Sequence, residues 1–375
     1  MRYVIAMENY QICKRCVMDN KSDPVITFDK DGYCSYCSNA LEIGKKIYFP
    51  NEEGKRKWEE ILKRIKEDGK GKQYDCLMGI SGGLDSSYLA YLGYKWGLRI
   101  LAVHIDDGYD TEISKSNIKK LAEATNIDLK IETPDAEQFN DLTAAYIRAN
   151  VPNLAIPQDN VLFAALYKYA RKYKISYFLG GGNYALECIL QRGNSYTAYD
   201  VVNIKNIHKR FGTKPINKLP FLTNQRKWWD EKVLHIQSLR PLNYIDYNRE
   251  RALKELHEFC GFEYYGSKHL ENTLTKFIQV WWFYNRYGVD KRRSHLSSMI
   301  VSGQMTRDEA LKELEKPIYD ESEMKKEIQE LLTKLGISES EFEEILKQAP
   351  KQHSDYKTDA YLTLKSKIKA IVHRW

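Results

Sequence analysis

The sequence predicts an α/β fold: a parallel sheet wrapped by helices over residues 46–246, a metal-stapled unit over residues 1–45, and a helical region over residues 247–375. Three observations carry this. Short apolar runs alternate with amphipathic stretches of helix length, the rhythm of strands joined by crossover helices. Four of the seven cysteines stand as two Cys-x-x-Cys pairs near the N-terminus. Beyond residue 247 strand patterns stop, and glycines placed to end helices take over.

Taken in order, residues 1–45 hold turn-like stretches at 21–24 and 29–32 and are too few to bury a core of their own. A charged helical connector spans 58–67. Strands are expected at 76–80, 100–105, 129–131 and 177–179, with helices at 86–96, 118–124, 139–149 and 160–173. The helical region opens with 249–259, closed by Gly261, and 270–287, closed by Gly288. Thr306 and Glu309 have the spacing of a capping box that starts a helix over 307–314, and two acidic helices follow. The acid-rich stretch 307–344 and the base-rich stretch 347–375 have the ordinary meaning of solvated faces. Trp281, Trp282, Phe283, Tyr284 and Tyr287 girdle one helix, which points to core or subunit interface before sugar stacking.

With 375 residues, 43% hydrophobic and 12% aromatic, the chain can bury full cores, and disorder is excluded. No apolar run approaches the ~20 residues of a membrane span, and Glu8, Lys14 and Arg15 interrupt the N-terminus, so a soluble, cytoplasmic protein is expected. The net charge of +7 hints at acidic partners without choosing among them.

Cys13-x-x-Cys16 and Cys34-x-x-Cys37 have the spacing of a tetrahedral zinc site. Four thiolates leave no open position, so the expected role of Zn²⁺ is structural, with metal bonds replacing a core. An iron–sulfur cluster is the rival occupant. Cys76 and Cys260 read as buried inert thiols; Cys188 has no assigned role.

Residues 76–97 run from an apolar strand through Ser81, Gly82, Gly83, Leu84, Asp85, Ser86 and Ser87 into a helix closed by Gly97. Two glycines, inward amides and hydroxyls at a helix N-terminus make an anion cradle. No Lys follows, so this is not the loop that grips a transferred γ-phosphate. The run resembles the PP-loop of the N-type ATP pyrophosphatases, whose Rossmann-like fold is that of the adenine nucleotide alpha hydrolases. That resemblance implies ATP as co-substrate, with Ser81, Gly82, Gly83, Asp85, Ser86 and Ser87 at its pyrophosphate and Asp85, Ser81 and Ser86 in catalytic roles. It also implies Asp106 and Gly108 near the adenosine, Gly182 in the same site, and Asn183, Glu187 and Arg240 near Mg²⁺ or the acceptor. Ordinary strand-end and helix-cap acids are the plain alternative for Asp106 and Glu187.

A wider resemblance follows from Cys13-Lys-Arg-Cys16-Val-Met-Asp19, the PP-loop, and Ser302-Gly-Gln-Met-Thr-Arg307-Asp-Glu-Ala310. Together these are similar to the N-acetyl sugar amidotransferases of surface-polysaccharide, O-antigen and flagellar-glycan biosynthesis, including enzymes acting on pseudaminic and legionaminic acids. The implied reaction adenylates a sugar acetamido oxygen and lets ammonia displace AMP, giving an acetamidino group. The resemblance further implies ammonia from a partner glutaminase like the glutaminase subunit of histidine biosynthesis, and an anionic nucleotide sugar or nonulosonic acid as acceptor. The basic stretch His208, Lys209, Arg210, Lys214 and Lys218 is a candidate for holding that anion, against a plain solvated loop. The alternative function is a zinc-ribbon PP-loop enzyme that modifies tRNA by thiolation or lysidine-type chemistry; nucleic acid is otherwise not expected as a partner.

Overall fold

A computed structural model of the chain describes residues 10–266 and 270–362. Glu8 and the basic end of the tail, 363–375, lie outside the described residues. The sheet has five parallel strands, β1 (Cys76–Gly79), β2 (Ile100–Ile105), β3 (Asp128–Glu132), β4 (Tyr177–Leu179) and β5 (Gln237–Leu239), in the order β3-β2-β1-β4-β5. Each strand ladder is parallel, with Cys76 opposite Ile100 and Leu77 opposite Phe178 fixing the registers of the central strand.

Side-chain alternation explains the burial on both faces. Cys76, Met78, Ile100 and Ala102 pack against α3 (Leu84–Lys95), α4 (Glu112–Thr125) and α10 (Arg249–Cys260). Leu77, Leu101 and Val103 point the other way, onto Leu166, Tyr169 and Ala170 of α6 (Ile156–Lys172). The fifth strand escaped the pattern reading because Gln237 and Ser238 are exposed and offer no apolar signal.

The connector is α2 (Glu52–Asp68), which buries Trp58 and Ile65. Gly261 and Gly288 end their helices in the left-handed conformation, and Thr306 and Glu309 make the reciprocal capping box of α14 (Arg307–Glu315). Two features of the helical region differ from expectation. The stretch expected as a single helix over 270–287 contains a π-helical segment, Phe277–Trp282, and α13 (Arg292–Val301) follows it. The π turn seats Trp282, which is fully buried and donates Nε1–H to the Val151 carbonyl at 2.9 Å. Of the aromatic girdle, Trp282 and Phe283 are core, whereas Tyr284 is 37% exposed.

One hydrophobic core joins Phe139, Leu142 and Tyr146 of α5 (Ala136–Arg148) to Phe277, Trp282, Leu332 and Phe342, so helices on both sides of residue 247 share it. The N-terminal unit is also tied to the C-terminal helices. Arg307 donates to the carbonyls of Cys13 and Cys16 at 3.1–3.2 Å, and Arg293 reaches the Val17 carbonyl at 2.7 Å and the Asp19 carboxylate at 3.1 Å. Among the described residues, no helix is long and apolar enough to cross a membrane. Because Arg307 satisfies buried carbonyls with charge-assisted bonds, Arg307→Met is expected to lower unfolding stability by about 2 kcal/mol, read as a lower urea midpoint with an unchanged slope; an unchanged midpoint would refute this role.

Candidate active site and metal centre

The strand order reverses between β1 and β4, the place where ligands bind in open α/β sheets. The 81–87 loop leaves β1 there, and the 180–183 turn leaves β4 beside it. Their backbones touch: a Cβ on Gly181 would stand 3.1 Å from the Ser86 amide nitrogen. Gly82 has φ +72°, and a Cβ there would lie 2.5 Å from Ser114 Oγ. Within the loop, the Ser81 amide donates to Ser86 Oγ at 3.3 Å, the Gly83 amide to Ser81 Oγ at 3.3 Å, and the Leu84 amide to the Tyr265 hydroxyl at 3.1 Å. These are long N–H···O bonds to hydroxyls, groups an anion with stronger acceptor oxygens can displace.

A cavity of about 200 Å³ lies over the loop, walled by Ser81, Gly83, Asp85, Ser86, Gly182 and Glu187. Asp85 is held by the Tyr247 hydroxyl at 2.5 Å and by Asn183 Nδ2 at 3.3 Å. Asn183, buried, also caps α7 (Tyr184–Glu187) by accepting the Leu186 amide. Burial and the neighbouring Asp85 carboxylate push the Tyr247 phenol well above its usual range, so it stays a donor to Asp85.

The structure thus brings Ser81, Gly83, Asp85, Ser86, Gly182, Asn183 and Glu187 together. Arg240 is exposed, with its Nε 3.9 Å from where a Cβ on Gly182 would stand. Two of the sequence candidates lie off the cavity wall. Ser87 is fully buried inside the helix turn and does not wall the cavity, because the helix rotates its side chain away from the loop face. Asp106 accepts the Gly108 amide at 3.1 Å within the turn that follows β2. Its neighbour Asp107 instead faces a second chamber. Gly108, at φ +81°, accepts Lys334 Nζ from α15 (Glu321–Leu335) on its carbonyl.

That chamber, about 370 Å³, shares Ser81 and Glu271 with the loop cavity and carries His104, Asp107, Asp110 and Asp159. His104 bridges the Ile80 carbonyl at 2.9 Å and Asp110 at 3.0 Å; burial disfavours its charge, but the Asp110 carboxylate outweighs this and raises its pKa. Burial pushes Asp159 up to about 7. Sequence reasoning missed Arg249, Tyr265, Glu271 and His295, which also wall the loop cavity. They lie more than 160 residues from the loop and form no local motif. The basic stretch is committed elsewhere. His208 bonds Asp141 at 3.0 Å, Lys214 pairs with Glu137, Lys218 pairs with Asp135, and Arg210 lies over the Tyr356 ring.

The four cysteines Cys13, Cys16, Cys34 and Cys37 are buried, and their sulfurs lie within 4.8 Å of one another. Two Sγ···Sγ separations are 3.6 and 3.7 Å, matching the ~3.8 Å edge of a tetrahedron with zinc–sulfur bonds of about 2.3 Å. A cubane of several irons would hold its thiolates farther apart, so the geometry fits one ion. Amides of Cys16 and Cys34 donate to Cys13 Sγ, spreading thiolate charge. Cys188 packs beside this cluster, and burial raises its thiol to about 11; Cys76 is wholly buried.

Two measurements check this account. Gly71 and Gly82 share a positive φ, but a Cβ on Gly71 meets nothing within 4 Å. Gly71→Ala should therefore cost about 1 kcal/mol from backbone strain alone and Gly82→Ala clearly more; equal losses in urea unfolding would contradict the packed loop. For Asp159 the folded state favours the protonated acid. Its contribution to stability is lost as pH rises from the ordinary carboxylate range through about 7. Asp159→Asn should raise the thermal midpoint at pH 8 and leave it nearly unchanged at pH 4.

Residues 271–369 match the family described as "LPS biosynthesis protein WbpG-like, C-terminal domain". An uncharacterized protein of Methanocaldococcus jannaschii is 24% identical over 332 residues, covering 87% of this chain and 99% of its own length. Among solved structures, an NMN synthetase from Francisella tularensis shares 17% identity, covering 64% of this chain and 96% of its own, with a TM-score of 0.28. A U34-tRNA thiolase from Methanococcus maripaludis shares 13%, covering 78% and 86%, with a TM-score of 0.31. The part of this chain that brings Glu271 and His295 to the loop is therefore the part that matches the WbpG-like C-terminal domain of LPS biosynthesis proteins.

Proposed function

We propose that this chain is the ATP-using synthetase subunit of an N-acetyl sugar amidotransferase that forms an acetamidino group in surface-polysaccharide, O-antigen or flagellar-glycan biosynthesis. The observation that carries this reading is the joint cavity: the 81–87 anion loop at the strand-order reversal, closed by Glu271 and His295 of the stretch matching a lipopolysaccharide-biosynthesis domain.

An acetamide is a poor electrophile, and its oxygen leaves poorly. Attack of that oxygen on the α-phosphorus of ATP releases pyrophosphate and gives an O-adenylyl imidate. Ammonia then adds to the imidate carbon, and AMP departs with the oxygen. The loop's contribution is electrostatic, with amides of Ser81 and Gly83 and the hydroxyls of Ser81 and Ser86 aimed where charge develops on the leaving pyrophosphate. Asp85, Glu187 and Glu271 place three carboxylates around the same cavity, an arrangement that repels a polyphosphate unless a divalent cation intervenes. Mg²⁺, which takes carboxylate and phosphate oxygens together, would neutralise the polyphosphate there, with Asp85 and Glu187 as its candidate ligands. Arg240 at the rim of the 180–183 turn is a candidate phosphate contact. The four-cysteine centre, far from needing substrate access, holds the N-terminal unit against α13 and α14. Ammonia is supplied by a partner glutaminase, and the protein works in the cytoplasm.

The test supplies MgATP, ammonium chloride and either a nucleotide-linked diacetamido-uronic acid or an acetamido-nonulosonic acid. AMP, pyrophosphate and a product in which NH replaces O are expected. Asp85→Ala should cut pyrophosphate release by about 10²-fold or more. No AMP with any acidic acetamido sugar would overturn the reading, and RNA retained with steep salt dependence would favour tRNA modification instead.

A further inference from the structure

A third chamber, about 500 Å³, lies between α7, the π segment and α13. It shares Leu186, Glu187 and His295 with the loop cavity, and Gln279, Val289 and Lys291 with the chamber that holds Asp159. Its size is that of a small-molecule site.

Three Lys or Arg side chains wall this chamber, and they differ in one respect. Lys276 is paired with Glu327 at 2.6 Å, and Arg292 with Asp290 at 2.9 Å. Lys291 has no carboxylate within 4 Å among the described residues; its ammonium lies 5.2 Å from the centre of the Phe283 ring. Lys291 is partly buried, and an ammonium held over an aromatic face gains from a ligand anion that supplies charge-assisted hydrogen bonds. Burial is severe enough to pull it down to about 8, against the opposing pull of the Asp23 carboxylate.

Position adds direction. Lys291, Ser294 and His295 stand at i, i+3 and i+4 along α13, and all three wall the chamber. The helix face runs from Lys291 to His295 over about 6 Å, four residues of helical rise, and His295 also walls the loop cavity. That span suits a pyranose ring carrying an anion at one end and a reacting group at the other.

We propose that this chamber is the acceptor subsite, in which Lys291 binds the carboxylate of an acidic sugar and Ser294 and His295 guide its opposite end to the phosphate loop. The proposal rests on the amidotransferase reading for the sugar as ligand, but its test does not need turnover. The probes are a UDP-linked N-acetylhexosaminuronic acid and the neutral UDP-N-acetylhexosamine, which differ by a carboxylate in place of a hydroxymethyl group. Calorimetry on the full chain should show the acid binding about tenfold more tightly or better. Lys291→Met should abolish that preference, Lys291→Arg should retain it, and circular dichroism checks folding, with Lys291→Gln as the second neutral variant.

Equal binding of both sugars by the wild type, no binding of either, or a preference that survives both neutral variants would overturn the proposal. Equal loss for both sugars would show the ammonium reading the diphosphate and would overturn it too. A preference that obeys Lys291 in a protein that makes no AMP would instead sink the amidotransferase reading and leave the subsite standing.

Discussion

The site depends on the reversal of strand order between β1 and β4. Parallel strands deliver their loops to the same edge of the sheet, and crossovers leaving in opposite directions open a crevice between these two. Here the packing is so close that glycine is needed on both sides of the loop: Gly181 lies against the Asp85–Ser86 backbone across the crevice, and Gly82 turns under Ser114 of α4. Side chains at these points would push apart the loops that bring Ser81, Asp85, Ser86 and Asn183 within reach of one ligand.

The ends of the chain complete what the sheet begins. Glu271 and His295 come from the helical region, and that region is fixed by two attachments of different kinds. One is apolar, the core in which Trp282 and Phe342 pack with Phe139 and Tyr146. The other is polar, the grip of Arg293 and Arg307 on the backbone of the cysteine unit. A metal held by Cys13, Cys16, Cys34 and Cys37 would therefore stabilise the surface against which α13 is seated, and α13 carries residues that line two of the cavities.

Charge is used locally. Although the net charge is +7, the basic stretch at 208–218 is spent on Asp141, Glu137 and Asp135 of α5 and its cap. The cavities carry Asp107, Asp110, Asp159, Glu187 and Glu271 on their walls, and of the three Lys and Arg side chains of the third chamber Lys291 is the one with no carboxylate within 4 Å among the described residues. An overall surplus of cations is a sum over the surface, whereas recognition follows from which charges are left without a partner where water is scarce.

The sequence by itself determined the strands with apolar alternation, the capped helices, the cysteine centre and the glycine loop, because each is written within a few consecutive residues. It also carried the two runs, at Cys13–Asp19 and Ser302–Ala310, that the fold brings together through Arg307. Local pattern could not report β5, an exposed edge strand, or the π turn at Phe277–Trp282, which exists to seat a buried tryptophan. Nor could it say which of Ser86 and Ser87, or of Asp106 and Asp107, lines a cavity, since neighbours differ only in which way the finished backbone turns them. Tertiary structure alone decided that Arg249, Tyr265, Glu271 and His295 meet the loop and that Lys291 has no carboxylate within 4 Å among the described residues. Those are relations between segments far apart in the chain, set by which faces pack together and not by what any one segment contains.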